Sequence, residues 1–245
     1  MNRLLAAVLL WLCLASPAWT QATRCEAEVQ RAAATLGQIY RQWPLRPTGD
    51  RVEQGAQYVA ARLGRNETAS GRQWRVHVVR DTKLNAFSIG DGHIFLTEGM
   101  LRFVANEGEL AAVIAHEFGH HLAGHFCASS RKRGFLGGLF GGGEEENATR
   151  SRVGTLTAVV DPEKEREADR IATIVLDRAG YDPHHALELA MRVARSGSSA
   201  HFQYAHRIEA LQGLLAGRPR DTYARADSAE FLEMKRTLWR EDAMR

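Results

Sequence analysis

The sequence predicts an α+β domain: a mostly helical body with a small antiparallel sheet beside one apolar helix. Three observations predict it. Apolar residues recur at spacings of three and four through most of the chain, the period of a helix face. Between Trp74 and Thr97 the period changes to two, and two apolar runs flank Gly90-Asp91-Gly92, as in a β-hairpin. The apolar run Leu110-Ala111-Ala112-Val113-Ile114-Ala115 continues into His116-Glu117-Phe118-Gly119-His120, so an apolar helix carries two histidines and a glutamate. Helices gathered beside one antiparallel sheet make the α+β class.

The chain opens with a segment that reads as a leader. Met1-Asn2-Arg3 supplies one positive charge, and Leu4 to Ala15 is uninterruptedly apolar. A run of about a dozen residues is too short to cross a bilayer unaided. Ser16-Pro17-Ala18 and Thr20-Gln21-Ala22 both place small residues at −3 and −1 of a cleavage site. The expectation is a signal peptide over residues 1–22, with an uncleaved anchor as the alternative. Residues 23–245 then form one domain, a size that suits a single core. Apolar content of 44% and charged content of 25% are ordinary for a globular protein. Lys and Arg number 32 against 29 Asp and Glu, a formal charge of +3, and no basic run is interleaved with aromatics. That balance excludes nucleic acid as an expected partner. Two cysteines remain beyond the leader, Cys25 and Cys127. In an oxidising compartment they can pair; otherwise they are two buried thiols.

Val29, Ala33, Leu36, Tyr40 and Trp43 mark a first helix over 25–43. Pro44 to Asp50, with two prolines and a glycine, is a turn. Val52, Ala56, Val59, Ala60 and Leu63 mark a second helix, stopped by Gly64. Trp74, Val76 and Val78 alternate as a strand, and the hairpin follows over 84–97. A short helix from Met100 leads into the helix of the two histidines. Asn106 can cap that helix, with Glu109 at N3 closing a capping box. Residues 134–143 hold six glycines in ten and are followed by three glutamates. The expectation over 134–146 is a flexible loop, either a plain linker or a lid over the site. Asp161-Pro162 opens another helix as N-cap and N1, ending near Gly180, and Asp182-Pro183 repeats the device. Further helices cover 202–215 and 229–239. Asn66-Glu67-Thr68 and Asn147-Ala148-Thr149 match glycosylation sequons but read as incidental.

His116 and His120, four apart, lie side by side on one helix face, where two imidazoles can take two corners of a zinc tetrahedron. Glu117 is rotated slightly around the helix. It can touch a metal-bound water without being a ligand, which is where a general base must sit. On the helix after Pro162, Glu165, Asp169, Ala172 and Leu176 fall on one stripe. Buried carboxylates are costly unless paired or metal-bound. Glu163 and Glu167 read instead as a solvated acidic face.

These features together resemble the HtpX-like and CAAX-prenyl-endopeptidase family of gluzincin zinc metalloproteases, over most of the chain from Leu84 to Leu211. Asn85-Ala86-Phe87 and the run Gly92 to Leu101 are similar to the family's edge strand and hairpin. Glu109 to His120, with His125, is similar to its zinc helix, and Glu165-Arg166-Glu167-Ala168-Asp169 to its E-x-x-x-D motif. His201 and Arg207 stand where the family has a His and an Arg near the metal. The chain departs from the pattern at Phe202, where a Pro is common, and at His206, where an acid is common.

The resemblance implies one Zn2+ per chain on His116, His120 and Glu165, leaving an open position as in catalytic sites. It implies Glu117 as base, His201 as oxyanion donor, and Asp169 with Arg207 behind the ligands. His121 and His125 read as surface or packing residues. The strand at Asn85, Ala86 and Phe87 can hold an extended substrate by adding it to the sheet, which suits unfolded or misfolded polypeptides. The resemblance is to the soluble, exported branch. It implies a periplasmic protein of envelope quality control, with peripheral association with the membrane or the outer-membrane assembly machinery. Two rivals stand beside the peptidase: a latent or non-proteolytic, chaperone-like zinc protein, and a structural zinc site. Glu117 argues against the second, because a structural site needs no base.

Overall fold

The computed structural model describes residues 24–67, 70–127, 161–196, 205–220, 223 and 226–244. The expected leader over 1–22, the glycine-rich stretch 134–146, the second sequon and His201 lie outside the described residues. Among the described residues the helices are α1 (Glu26–Gln42), α2 (Arg51–Gly64), α3 (Glu98–Phe103), α4 (Glu107–Leu122), α5 (Pro162–Arg178), α6 (His184–Arg195), α7 (Ala205–Leu215) and α8 (Ala229–Ala243). The strands β1 (Arg75–Val79), β2 (Ala86–Gly90) and β3 (His93–Thr97) lie between α2 and α3. The α+β class follows: a helical body beside one small sheet.

Helix starts are set by side-chain caps that satisfy otherwise orphaned N–H groups. Asp50 accepts from the Glu53 N–H at 2.8 Å, Asn106 from Glu109 at 2.8 Å, and Ser228 from Phe231 at 3.2 Å. Asp161 accepts from Glu163 at 3.1 Å, with Pro162 inside the first turn. The expected capping box on α4 is displaced by one residue. The Glu109 carboxylate accepts from the N–H of Ala105 at 2.8 Å rather than from that of Asn106, and Arg192 holds it from the other side.

The sheet is mixed rather than wholly antiparallel. Its order is β1-β3-β2; β2 and β3 form the expected antiparallel hairpin, while β1 lies parallel to β3. Asp91 and Gly92 at the tip both have positive φ, 51° and 81°, as a two-residue primed turn requires. β1 is joined to β2 by a connection rather than a tight turn, so nothing local forced it to be antiparallel. Its outer edge is bridged by Leu45 opposite Val79. Val76, Val78, Ala86, Ile94 and Leu96 face the core shared with α2 and α4. Val79, Phe87, Ile89 and Phe95 face Ala32, Ile39 and Trp43 of the α1 region. The sheet is thus a layer between α1 on one side and α2 with α4 on the other.

The α1 stripe differs from the expected one by about one position. Glu28, Ala32, Thr35 and Ile39 are buried, whereas Tyr40 is 52% exposed. Trp43 is buried as expected, and the buried stripe begins on a charged residue. Glu28 has a fully buried side chain and receives two bonds from Arg72, at 3.1 and 2.7 Å, and one from the N–H of Asp91 at 2.8 Å. His121 and Cys127 approach the same carboxylate at 3.4 Å. Cys25 and Cys127 are bonded, with Cα atoms 5.8 Å apart and a sequence separation of 102. Closing a loop of that size stabilises by about 4–5 kcal/mol in the chain-entropy model. Glu28 and the disulfide therefore tie α1 to the turn that follows α4.

α4 is buried along its whole length, all 16 residues. A helix enclosed on every side is a central one. α2, α5, α6 and β2 pack around it, and Trp74 stacks on Phe118 with ring centroids 3.5 Å apart.

The buried Glu28–Arg72 pair gives a pH-dependent prediction. Burial pushes the Glu28 carboxyl up, but bonds from His121, Arg72 and Asp91 outweigh it, and its pKa falls from 4.5 to about 2. A depressed pKa means stability fully present above about 4.5 and lost as pH falls toward about 2. Glu28→Gln should cost about 3–5 kcal/mol at neutral pH, because Arg72 is left buried without its charge partner. It should also flatten the acid limb of stability. Urea melts of both proteins between pH 7 and 2 check this; parallel acid limbs would remove Glu28 from the account.

Candidate active site

The site forms where α4 and α5 touch. His116 and His120 turn the same way from α4, and Glu165 and Asp169 turn toward them from α5. Glu165 and Asp169 are each 2% exposed, so the acidic stripe of α5 does face the core. The helices come this close because Gly119 has no side chain. A Cβ there would lie 2.4 Å from the carbonyl oxygen of Ala168 and 2.8 Å from its Cα. Glycine is needed for that backbone approach.

Three ligand-type side chains converge. His116 Nε2 lies 3.1 Å from Glu165 Oε2 and 3.2 Å from His120 Nε2, and His120 Nε2 lies 3.3 Å from Glu165 Oε1. Two nitrogens bound to one zinc at about 2.05 Å in tetrahedral geometry are separated by roughly 3.3 Å. The spacings therefore fit a single metal ion, and these three residues form a group that could hold one. The local charge fits as well. Burial and the nearby Arg207 push the His116 ring down, but bonds to Asp169 and Glu165 prevail and raise it to about 9. The carboxylates favour positive charge at that ring.

Each histidine is held from behind. His116 Nδ1 lies 3.0 Å from Asp169 Oδ1. Arg207, from α7, donates to Asp169 through Nε at 2.8 Å and Nη2 at 2.6 Å. Burial pushes the Asp169 carboxyl up, yet Arg207 and His116 bring it down to about 2. A carboxylate behind a ligand imidazole fixes its tautomer and orientation. His120 has a different support. Its Nδ1 lies 2.9 Å from His125 Nδ1, and His125 Nε2 is 3.2 Å from Glu167 Oε2. His125 is thus a neighbour of the site rather than a surface or packing residue. α4 ends at Leu122, and Gly124 with φ of 71° turns the chain back, which brings His125 behind His120. His121 is fully buried and packs edge-on to Trp74 beside Glu28, the packing role its position suggests.

Glu117 is 1% exposed. Its Oε2 accepts a hydrogen bond from Ser88 of β2 at 2.7 Å, and its Oε1 has no partner among the described residues. A buried carboxylate oxygen left open, on the residue that follows His116, can receive a proton from a water. Ser88 carries no signal of this contact in the sequence. Asn85 precedes β2, an edge of the sheet among the described residues, and Ala86 and Phe87 are its first two residues, opposite Leu96 and Phe95.

Two substitutions test this geometry. Gly119→Ala overpacks the α4–α5 contact, at a typical cost of about 1–3 kcal/mol, and pushes Glu165 away from the histidines. It should lower both the melting temperature and the zinc bound per chain. Glu165→Ala should lose most of the bound metal, while Glu163→Ala on the exposed face should keep it. Metal analysis of the purified proteins decides, and full occupancy in Glu165→Ala would remove it from the ligand set.

Comparison with known proteins agrees with this geometry. The mitochondrial metalloendopeptidase OMA1 of Saccharomyces cerevisiae is 30% identical over 136 residues, 53% of this chain and 39% of the relative. Its Schizosaccharomyces pombe counterpart is 32% identical over 145 residues, 56% of this chain and 43% of the relative. The beta-barrel assembly-enhancing protease of Yersinia pestis is 29% identical over 138 residues, 50% of this chain and 28% of the relative. Each match takes in less than half of the relative's own length. A family model, Peptidase family M48, matches residues 48–215, which hold His116, Glu117, His120, Glu165, Asp169 and Arg207, and the chain belongs to that family.

Proposed function

We propose that the chain is a zinc-dependent endopeptidase, with His116, His120 and Glu165 as metal ligands and Glu117 as general acid and base. The observation that supports it best is the pairing of a three-ligand group with a buried carboxylate whose Oε1 is open. A structural zinc site would take a fourth protein ligand and would not need Glu117.

Zinc held there by His116, His120 and Glu165 would supply Lewis-acid polarisation of the scissile carbonyl and would acidify a water. Glu117 takes the proton of the attacking water and passes it to the leaving nitrogen. Asp169 and Arg207 hold the His116 ring, and His125 backs the His120 ring, so neither must reorganise during the reaction. His201 is retained as the donor expected to steady the developing oxyanion. Substrate enters as an extended segment along β2 at Asn85, Ala86 and Phe87, bonding to the backbone groups that do not pair with β3; the N–H and carbonyl of Asn85 are held by Thr97. That mode reads backbone rather than side chains, and so suits unfolded or misfolded polypeptides.

The leader-like residues 1–22 support export to the periplasm. The likeness to a beta-barrel assembly-enhancing protease supports a role in envelope protein quality control, near the membrane or its outer-membrane assembly machinery. No described helix is long and apolar enough to cross a membrane.

Glu117→Gln tests the reading. It keeps size, helix and ligands, so zinc content and melting temperature should stay at the wild-type level. Cleavage of an unfolded substrate such as casein should fall by about a hundredfold or more, since water activation and proton delivery are both lost. Polypeptide binding should persist. A chaperone-like protein would instead suppress aggregation equally in both forms and cleave in neither. Equal cleavage by the two forms would overturn Glu117 as the base.

A further inference from the structure

We infer that Ser88 is a positioning residue for Glu117: its hydroxyl pins one carboxylate oxygen so that the other faces the metal group. The inference rests on the reading of Glu117 as base and deepens it.

β2 alternates, and its inward residues Ala86 and Ser88 share the face turned toward α4. Ala86 joins the apolar core there, whereas Ser88 presents a hydroxyl, 3% exposed. A hydroxyl in such a place is costly unless it is bonded. Its bond goes to Glu117 Oε2 at 2.7 Å, a short contact of a neutral donor with a carboxylate.

The strand is shaped for this contact. The β2–β3 register shifts between Ser88 and Gly90, immediately after the serine. A bulge bends its strand and re-aims the neighbouring side chain, and bulges are frequent beside active sites. Gly90 takes φ of 99°, and a Cβ there would meet Glu28 at 2.9 Å. The buried Glu28 network and the bulge together fix where Ser88 sits.

The carboxylate needs such a pin. The last torsion of a glutamate is broad, so packing alone does not fix the plane in which its two equivalent oxygens lie. With Oε2 held by Ser88, Oε1 is the oxygen left without a partner among the described residues. A base acts only within hydrogen-bond reach of the proton it takes. Loss of the pin leaves the base present but misdirected, which lowers the rate and spares the metal.

Three variants separate donor from shape. Ser88→Ala removes the hydroxyl, Ser88→Thr keeps it with an added methyl, and Ser88→Val matches threonine in shape without the donor; threonine and valine both suit a strand. Each is measured for zinc content, for KM and kcat on casein, and for affinity toward a short peptide hydroxamate, which reports the placement of the base without turnover. Ser88→Ala and Ser88→Val should lower kcat about tenfold to a hundredfold and weaken the hydroxamate, with KM and zinc content unchanged. Ser88→Thr should recover most of both. Threonine falling together with valine would show packing, not the hydroxyl, and overturn the inference; so would unchanged or faster turnover in Ser88→Ala. Should the wild type bind hydroxamate but cleave nothing, the endopeptidase reading fails and the hydroxamate series alone judges Ser88. Failure of the wild type to bind hydroxamate would overturn both.

Discussion

The close approach of α4 and α5 is the contact on which the rest depends. Each helix places its smallest residue at the crossing, and the polar groups stand around it in matching positions. Gly119 is three residues after His116 and one before His120, and Ala168 is three after Glu165 and one before Asp169. With a Cβ on Gly119 the two backbones could not meet. The small residues are what let two pairs of polar side chains, from helices distant in sequence, share one buried spot.

That spot then has to be made tolerable electrostatically. Glu117, Glu165 and Asp169 are each buried, and Arg207 is the cation the structure places among them, 2.6 Å from Asp169 and 3.6 Å from Glu165. Moving even one ion out of water costs several kcal/mol unless partners replace its hydration. Arg207 answers Asp169 with two bonds and stands 3.6 Å from Glu165, so one guanidinium faces both carboxylates of α5 beside the rings of His116 and His120. A divalent cation is the natural partner for such a set, and the ligand spacings accept one. The same accounting explains the other buried charge. Glu28 is held by Arg72 and by the Asp91 N–H, next to the Cys25–Cys127 bond. One network carries the chemistry; the other holds α1, the hairpin tip and the end of α4 in register.

Local signals were legible in the sequence, and long-range ones were not. The caps Asn106 and Asp161, the Asp91-Gly92 turn and the spacing of His116 and His120 are each decided within a few residues. Glu165 and Asp169 stood out because acids on a core stripe need a reason. The parallel placement of β1 beside β3 leaves no local trace, and so the sheet was expected to be antiparallel throughout. Glu28 carries no signal of its burial in the sequence, because its partner Arg72 is 44 residues away. His125 was misread because five residues beyond His120 on an ideal helix points elsewhere; the turn at Gly124 ends the helix first. Ser88 gave no signal at all, since one serine in a strand is a common polar residue until α4 is packed against it. Gly119 could have been noticed as the small residue inside the histidine motif, but what it makes room for becomes visible only once α5 is in place.

β2 joins the two halves of the proposed function. In that proposal its outer edge takes the extended polypeptide, while its inward face holds Ser88 against Glu117. Side chains alternate along a strand, so the same five residues can serve both without conflict. On that proposal an added strand would pair with the edge of β2 that is open among the described residues, and would restrain the backbone that carries Ser88. The bulge after Ser88 is the point at which these two demands meet. It ends the regular ladder just where the side chain must be aimed at α4, so the irregularity that weakens the hairpin is also what sets the serine on the glutamate.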